Sequence, residues 1–260
     1  QGVDRYQWIR NIGGGSFAAM LNPMTTLSMR FRDIQGAALA ADGDTDVLLW
    51  NGTFESGMRW LENPSGAGAW SLRNLQTPGT RVLAAAVGAA DCDGDIDLAV
   101  GLESRNVGTF ENLTLGPIRD LALCGPPVVN STGTFGRVIV VGDDDVARNR
   151  VTLQAHDLPQ NAPGFFLASQ MSGSTFPVPG SVGRLCLMGS IGRYVGPGQV
   201  LNSGSSGSFC LPIDLTAIPQ PTGAVAVLPG EQWAFQAWFR DAAGGAVTSN
   251  LTNGISVNFE

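Results

Sequence analysis

The chain has 260 residues and a mass of 27.1 kDa. Charged residues are only 14%, the net charge is −7, and there is no lysine, so all 15 cations are arginine. That balance argues against nucleic acid or an anionic membrane surface as the main partner, and a single histidine excludes zinc sites built from several imidazoles. Thirty-five glycines without a triplet period exclude collagen, and 43% hydrophobic residues exclude wholesale disorder. No apolar run approaches the roughly 18 residues that span a bilayer.

In chain order, the first signature is Gln7-Trp-Ile-Arg-Asn11, followed by Gly13, Gly14, Gly15 and Phe17. It returns as Arg59-Trp-Leu-Glu-Asn63, followed by Gly66, Gly68 and Trp70, and again in shorter form as Gly108-Thr-Phe-Glu-Asn112. A second signature lies between these copies. Asp42-Gly-Asp-Thr-Asp46 recurs as Asp93-Gly-Asp-Ile-Asp97, each loop set between apolar runs. Short apolar runs between Gly, Asp and Asn turns predict antiparallel strands. Residues 4–17 then form the second half of a unit whose first half would precede Gln1. Its bulky residues Tyr6, Trp8 and Ile9 predict an uncovered edge suited to self-association.

Asp91-Cys-Asp-Gly-Asp-Ile-Asp97 carries the clearest chemistry. Carboxylates at alternate positions of a tight loop converge on one hard cation, and calcium takes six to eight oxygens in irregular geometry. Asp91, Asp93, Asp95 and Asp97 are therefore the expected calcium ligands. The earlier loop has Ala40 in place of the first acid, so Asp42, Asp44 and Asp46 form either a weaker site or an empty loop. Gly142-Asp-Asp-Asp145 lacks alternation and reads as a turn.

Cys124-Gly-Pro-Pro127 reads as a linker, and beyond it the repeat stops. Strands are predicted over 137–141, 151–156, 164–171, 184–188, 208–215, 224–228, 232–240 and 254–259. Trp233, Phe235, Ala237 and Phe239 share one face at the two-residue period of a strand. Trp238, on the other face beside Arg240, either stacks a sugar or joins a second core layer. His156 falls with Thr152 and Gln154 on the polar face of its strand and is expected to be exposed. About eight strands with regular turns predict a β-sandwich, jelly-roll-like, over 124–260. No helix is predicted.

The acidic loops with their Trp-Leu-Glu-Asn and Gly-x-Gly-x-Trp trailers resemble FG-GAP/VCBS-type repeats, the blades of extracellular β-propellers. The resemblance covers residues 1–120, about two and a half blades. It implies an all-β, incomplete propeller-like region and a calcium loop matched by Asp91, Asp93, Gly94 and Asp95. The second half resembles an uncharacterised β module of secreted bacterial proteins through Pro163-Gly-Phe-Phe-Leu167 and Trp233-Ala-Phe-Gln-Ala-Trp-Phe-Arg-Asp241.

Four cysteines without a CxxC spacing predict two disulfides. Four cysteines allow three pairings. The placement of Cys186 and Cys210 beside strands of the second module favours Cys186–Cys210, leaving Cys92–Cys124. The sequons at Asn51, Asn112, Asn130 and Asn250 are expected in exposed loops, as glycan acceptors only in a host with that machinery. Even cysteines, low charge and small polar residues predict an extracellular location, and the resemblances imply a bacterial source. No nucleophile with a base, and no carboxylate pair across a cleft, is apparent, so no enzymatic activity is expected. The expected function is a secreted, calcium-binding structural protein that pairs with its own copies and extends into a fibre. The alternatives are an adhesin for glycans or proteins, and a piece of a larger propeller.

Overall fold

The computed structural model describes residues 11–17, 33–40, 42, 44–50, 58–63, 70–75, 81–88, 92, 95–112, 117–118 and 120–260. The fold is all-β. Among the described residues the helical content is one short 3-10 turn, Val146–Arg148. The chain divides into two compact units, Gln1–Asp91 with Asp95–Thr114, and Cys92–Gly94 with Leu115–Glu260.

The first unit holds β1 (Asn11–Gly13), β2 (Ser16–Phe17), β3 (Asp33–Ala37), β4 (Asp46–Trp50), β5 (Met58–Glu62), β6 (Ser71–Leu75), β7 (Val82–Gly88), β8 (Asp97–Leu102) and β9 (Val107–Phe110). Strands β1 and β2 form a hairpin whose turn uses Gly14 and Gly15 at positive φ, a conformation glycine adopts without a Cβ penalty. Strands β3-β4-β5-β6 make one antiparallel sheet and β7-β8-β9 another. Their registers agree. Ala37 faces Asp46 as Gly88 faces Asp97, and Val47 faces Leu61 as Leu98 faces Phe110. The first sheet has a fourth strand, β6, beside β5. No described strand lies beyond β9.

Each central strand of this unit is buried by an apolar run. Leu48 and Trp50 of β4 meet Met58, Val82, Leu98 and Val100 in one cluster that draws on both sheets. Val47 and Leu49 point the other way, toward Leu61 and Trp70. A strand buried on both faces needs a continuous apolar sequence, and Val47-Leu-Leu-Trp50 supplies it.

The second unit holds β10 (Asp120–Leu123), β11 (Arg137–Gly142), β12 (Val151–His156), β13 (Pro163–Ser169), β14 (Met171–Thr175), β15 (Leu185–Met188), β16 (Gly192–Arg193), β17 (Leu201–Asn202), β18 (Phe209–Ile213), β19 (Ile218–Gln220), β20 (Gly223–Val225), β21 (Gln232–Ala243), β22 (Ala246–Leu251) and β23 (Gly254–Asn258). The largest sheet runs β10-β23-β21-β13-β16, with β17 on β13 and β22 on β21. A second sheet is β11-β12-β18, and β14–β15 and β19–β20 are hairpins. Residues 120–123 thus belong to this unit, since β10 pairs with β23.

Trp233, Phe235, Ala237 and Phe239 of β21 lie fully buried against Val138, Val140, Leu153 and Phe166. This main core therefore joins residues of the largest sheet to residues of β11-β12-β18. The other face of β21 has its own apolar layer, in which Ala234 packs with Leu167, Leu187 and Leu251. One polar residue crosses that layer. Gln236 donates to the carbonyls of Arg184 and Thr252, both at 2.8 Å, and accepts from the Cys186 N–H at 2.9 Å, so its burial leaves nothing unsatisfied.

Candidate functional site

The acidic loops each end on the first residue of a central strand, and the last carboxylate of each does the same work. Asp46 is wholly buried. Its Oδ2 accepts from the N–H groups of Leu39 and Ala40 at 2.8 and 2.9 Å, and its Oδ1 accepts from Asn63 N–H at 2.8 Å. In the second loop Asp97 Oδ1 accepts from Asn112 N–H at 2.9 Å. The two asparagines return the contact, Asn63 Nδ2 to the carbonyl of Thr45 and Asn112 Nδ2 to that of Ile96. Asn112 Nδ2 also donates to Leu39 O at 2.9 Å. Asp–Asn clasps of this kind were not anticipated from the sequence. Their signal was the repeat itself, which carries an acid at the loop end and an asparagine at the trailer end in both copies.

Upstream of the clasps, Asp42 is exposed and its Oδ1 accepts from the Asp44 N–H at 3.0 Å, which tightens the turn. Asp95 is buried. Asp91 and Asp93 lie outside the described residues, as do Tyr6, Trp8, Ile9 and Asn51. Among the described residues no three acidic, histidine or cysteine side chains gather as a metal site. The donor set of the second loop is nevertheless all carboxylate, the chemistry that suits a hard cation. The acidic run at 143–145 lies in the connection between β11 and the 3-10 turn. Asp145 caps the 3-10 turn through the Ala147 N–H, and Asp143 pairs with Arg148 and Arg150.

The disulfides correct the expected pairing. All four cysteines are bonded, but as Cys92–Cys210 and Cys124–Cys186. Cys124 follows β10, which lies beside β23, and β23 lies beneath β15, where Cys186 sits. Nearness in sequence to Cys210 did not predict nearness in space. Gly254 of β23 makes the room, since a Cβ there would lie 2.5 Å from Cys186 Cβ and 3.3 Å from Leu123 Cβ.

His156 is also corrected. It is half-buried, and Thr152 and Gln154 beside it are buried rather than solvated. Beside Gln154 the cover is the Cys92–Cys210 disulfide. Gln154 is the cross-strand partner of Cys210, so the Cys92–Cys210 bridge lies over this face of β12, and Gln154 Nε2 donates to Cys92 O at 2.9 Å. His156 Nε2 meets Gln154 Oε1 at 3.0 Å. Burial, and then the Arg137 charge, hold the imidazole below its usual pKa, against a smaller opposing pull from Asp157.

Two of the sequons are not in exposed loops. Asn130 is 5% exposed and its amide donates to Asp157 O. Asn250 is 0% exposed and its amide donates to Asp241 Oδ2, Val128 O and Val129 O. Asn112, described above, is half-buried with its amide committed. These asparagines close polar networks, which sequon spacing cannot reveal.

The second apolar layer opens into a cleft of about 350 Å³ beside Trp238. Trp238 is half-buried, and its ring stacks on Phe165 at 4.9 Å between centroids and 24° between planes. Arg240 lies over the same indole at 5.3 Å. The position thus joins the outer core layer while keeping part of the ring at the cleft. No protein-family model matches the chain, and neither a curated protein nor a solved structure matches it.

Proposed function

We propose that this chain is a secreted, non-enzymatic structural protein that binds calcium at its second acidic loop and associates with its own copies through the repeat region. The repeat region is read as incomplete propeller-like blades of FG-GAP/VCBS type, and the second unit as a β-sandwich. The single observation that carries the reading is the unequal number of described strands in two sheets of matching register. Strand β5 is covered by β6, while β9 has no described neighbour on its outer side. An uncovered edge of unpaired N–H and C=O groups accepts a strand from another chain. Residues 1–17, with Tyr6, Trp8 and Ile9, carry the trailer signature of a unit and are the natural donor. Donor and acceptor surfaces then differ, so the contact is heterologous and propagates.

Calcium at Asp91, Asp93 and Asp95 neutralises carboxylates that otherwise repel within one turn. The two disulfides fit an oxidising compartment, and no helix among the described residues is long and apolar enough to cross a membrane.

Sedimentation velocity of the full chain, with calcium and after chelation, tests the reading. Concentration-dependent assemblies are expected in calcium. Deleting residues 1–17 should release monomers. So should Val107→Lys, which places a charge on the β9 edge at a residue already 77% exposed. Calorimetric titration should show calcium binding that Asp93→Ala weakens. A full-length chain that stays monomeric at high concentration removes the assembly, and equal calcium affinity in Asp93→Ala removes the metal site.

A further inference from the structure

The cleft beside Trp238 is built on one sheet face. Residues paired across antiparallel strands project to the same side. Phe165 faces Trp238, Trp238 faces Leu251, and Leu167 faces Arg193. These residues therefore share the face opposite the main core. Leu167 and Leu251 are buried and form the floor, while Val178, Leu185, Ile191 and Trp238, all half-buried, form the walls. The indole is already engaged by the Phe165 ring and by the Arg240 guanidinium, so it serves as an apolar wall and not as an open stacking surface.

The polar groups at the rim are engaged with one another. The Ser181 hydroxyl donates to Ser249 O at 3.0 Å and accepts from the Gly183 N–H at 3.1 Å. The Ser249 hydroxyl donates to Gly180 O at 3.0 Å, and the Val182 N–H donates to Ser249 O at 2.9 Å. One polar group that lines the cleft is left over. Arg193 is exposed, and among the described residues its guanidinium has neither a hydrogen bond nor an ion pair, in a chain whose net charge is −7. Its backbone is held in place. Strand β16 pairs with β13, and a Cβ at Gly192 would overlap the Pro219 carbonyl, so glycine is what lets the strand lie there. An apolar cleft with one unpaired cation at its edge selects a ligand with an apolar body and a single anionic head. A peptide fits less well, because its amides would find the rim groups occupied and be buried without partners.

We propose that this cleft binds a medium-chain fatty acid. The alkyl chain lies along Leu167, Leu185, Ile191 and Leu251, and the carboxylate pairs at the rim with the Arg193 guanidinium, whose planar fork matches a carboxylate. The cleft volume of about 350 Å³ is at the small end of ligand pockets, which span about 300–1,000 Å³, and suits one short alkyl chain, not a phospholipid or a globular partner. The inference does not rest on self-association or on the acidic loops, which contribute no residue to the cleft.

The test is calorimetric titration of the full chain with decanoate, octanoate, decanol and an apolar tripeptide with a free carboxylate, each below any micellar concentration and in the presence of chelator. Chelator separates this site from any carboxylate bridged by calcium at the acidic loop. The expected result is one decanoate bound per chain. Octanoate should bind about tenfold more weakly, the scale of two methylenes returned to water. Decanol should also bind about tenfold more weakly than decanoate, since it lacks the charge-assisted contact. Arg193→Gln should lower decanoate affinity about tenfold and leave decanol affinity unchanged. This variant changes an exposed side chain without a partner and should keep the wild-type melting temperature, so its loss of affinity cannot be ascribed to misfolding. Val178→Trp, which fills the cleft from its wall, should weaken decanoate and decanol alike. No binding of decanoate, equal affinity for decanoate and decanol, equal affinity for decanoate and octanoate, tighter binding of the tripeptide, or full decanoate affinity in Arg193→Gln overturns the proposal.

Discussion

At the scale of single residues, the buried carboxylates are what the acidic motifs build. Asp46 sits in the apolar unit with both oxygens engaged by three backbone N–H groups. Removing it strands those donors in a dry site. Asp46→Ala should lower unfolding free energy by about 3 kcal/mol, the range for buried charge-assisted hydrogen bonds. Asp46→Asn, which keeps an acceptor oxygen, should cost less. Equilibrium urea unfolding measures both. His156 gives a pH dependence with a definite sign. Its folded pKa lies below its unfolded value of about 6.5. Just below pH 6.5 the unfolded chain therefore binds the extra proton first, and stability falls with pH through that window until the folded imidazole also protonates. The groups that face it are Arg137, Asp157 and Gln154. Against wild type, His156→Gln should flatten the stability profile between neutral pH and the depressed folded pKa, as read from melting temperatures in a buffer series. A difference that grows toward alkaline pH would contradict the assignment.

At the scale of elements, strand existence was more legible than strand partnership. The two-residue period of Trp233, Phe235, Ala237 and Phe239 announces β21 and its core face because burial on one side of a pleated strand forces alternation. The run at 151–156 likewise marks β12. Strands β16, β17 and β19 are two or three residues long and carry no such period. β10, at residues 120–123, lies just before the expected linker at 124–127, where no strand was predicted, and its strand character comes from β23 beside it, not from its own composition. Disulfide pairing failed for the same reason, since it depends on which strands become neighbours. Gly254 shows how closely that neighbourhood is fitted. Gly254→Ala drives a methyl against Cys186 Cβ and should cost about 1–3 kcal/mol, the usual range for overpacking. If removing Cys124 and Cys186 together relieves the clash, the two effects should be less than additive in a double-mutant cycle.

At the scale of the whole molecule, both the proposed metal loop and the proposed self-association segment rest on repetition in the sequence, and the matching registers of β3-β4-β5 and β7-β8-β9 give that repetition a geometric form. The Trp238 cleft was only half legible. Trp238 could be read from β21, but Phe165 and Arg193 arrive from strands distant in sequence. The buried sequons have a consequence for how the protein can be made. Asn130 and Asn250 present Asn-x-Thr to any transferase that meets the chain before it folds, yet in the folded state each amide nitrogen is a core donor with no space for a substituent. A sugar added during translocation at Asn250 would therefore lock the chain out of its native packing. In a eukaryotic secretory host, the glycosylated fraction should be retained and degraded, and the exported fraction should carry unmodified Asn130 and Asn250. If the chain is exported, the fold therefore favours routes on which polypeptide is not glycosylated as it emerges.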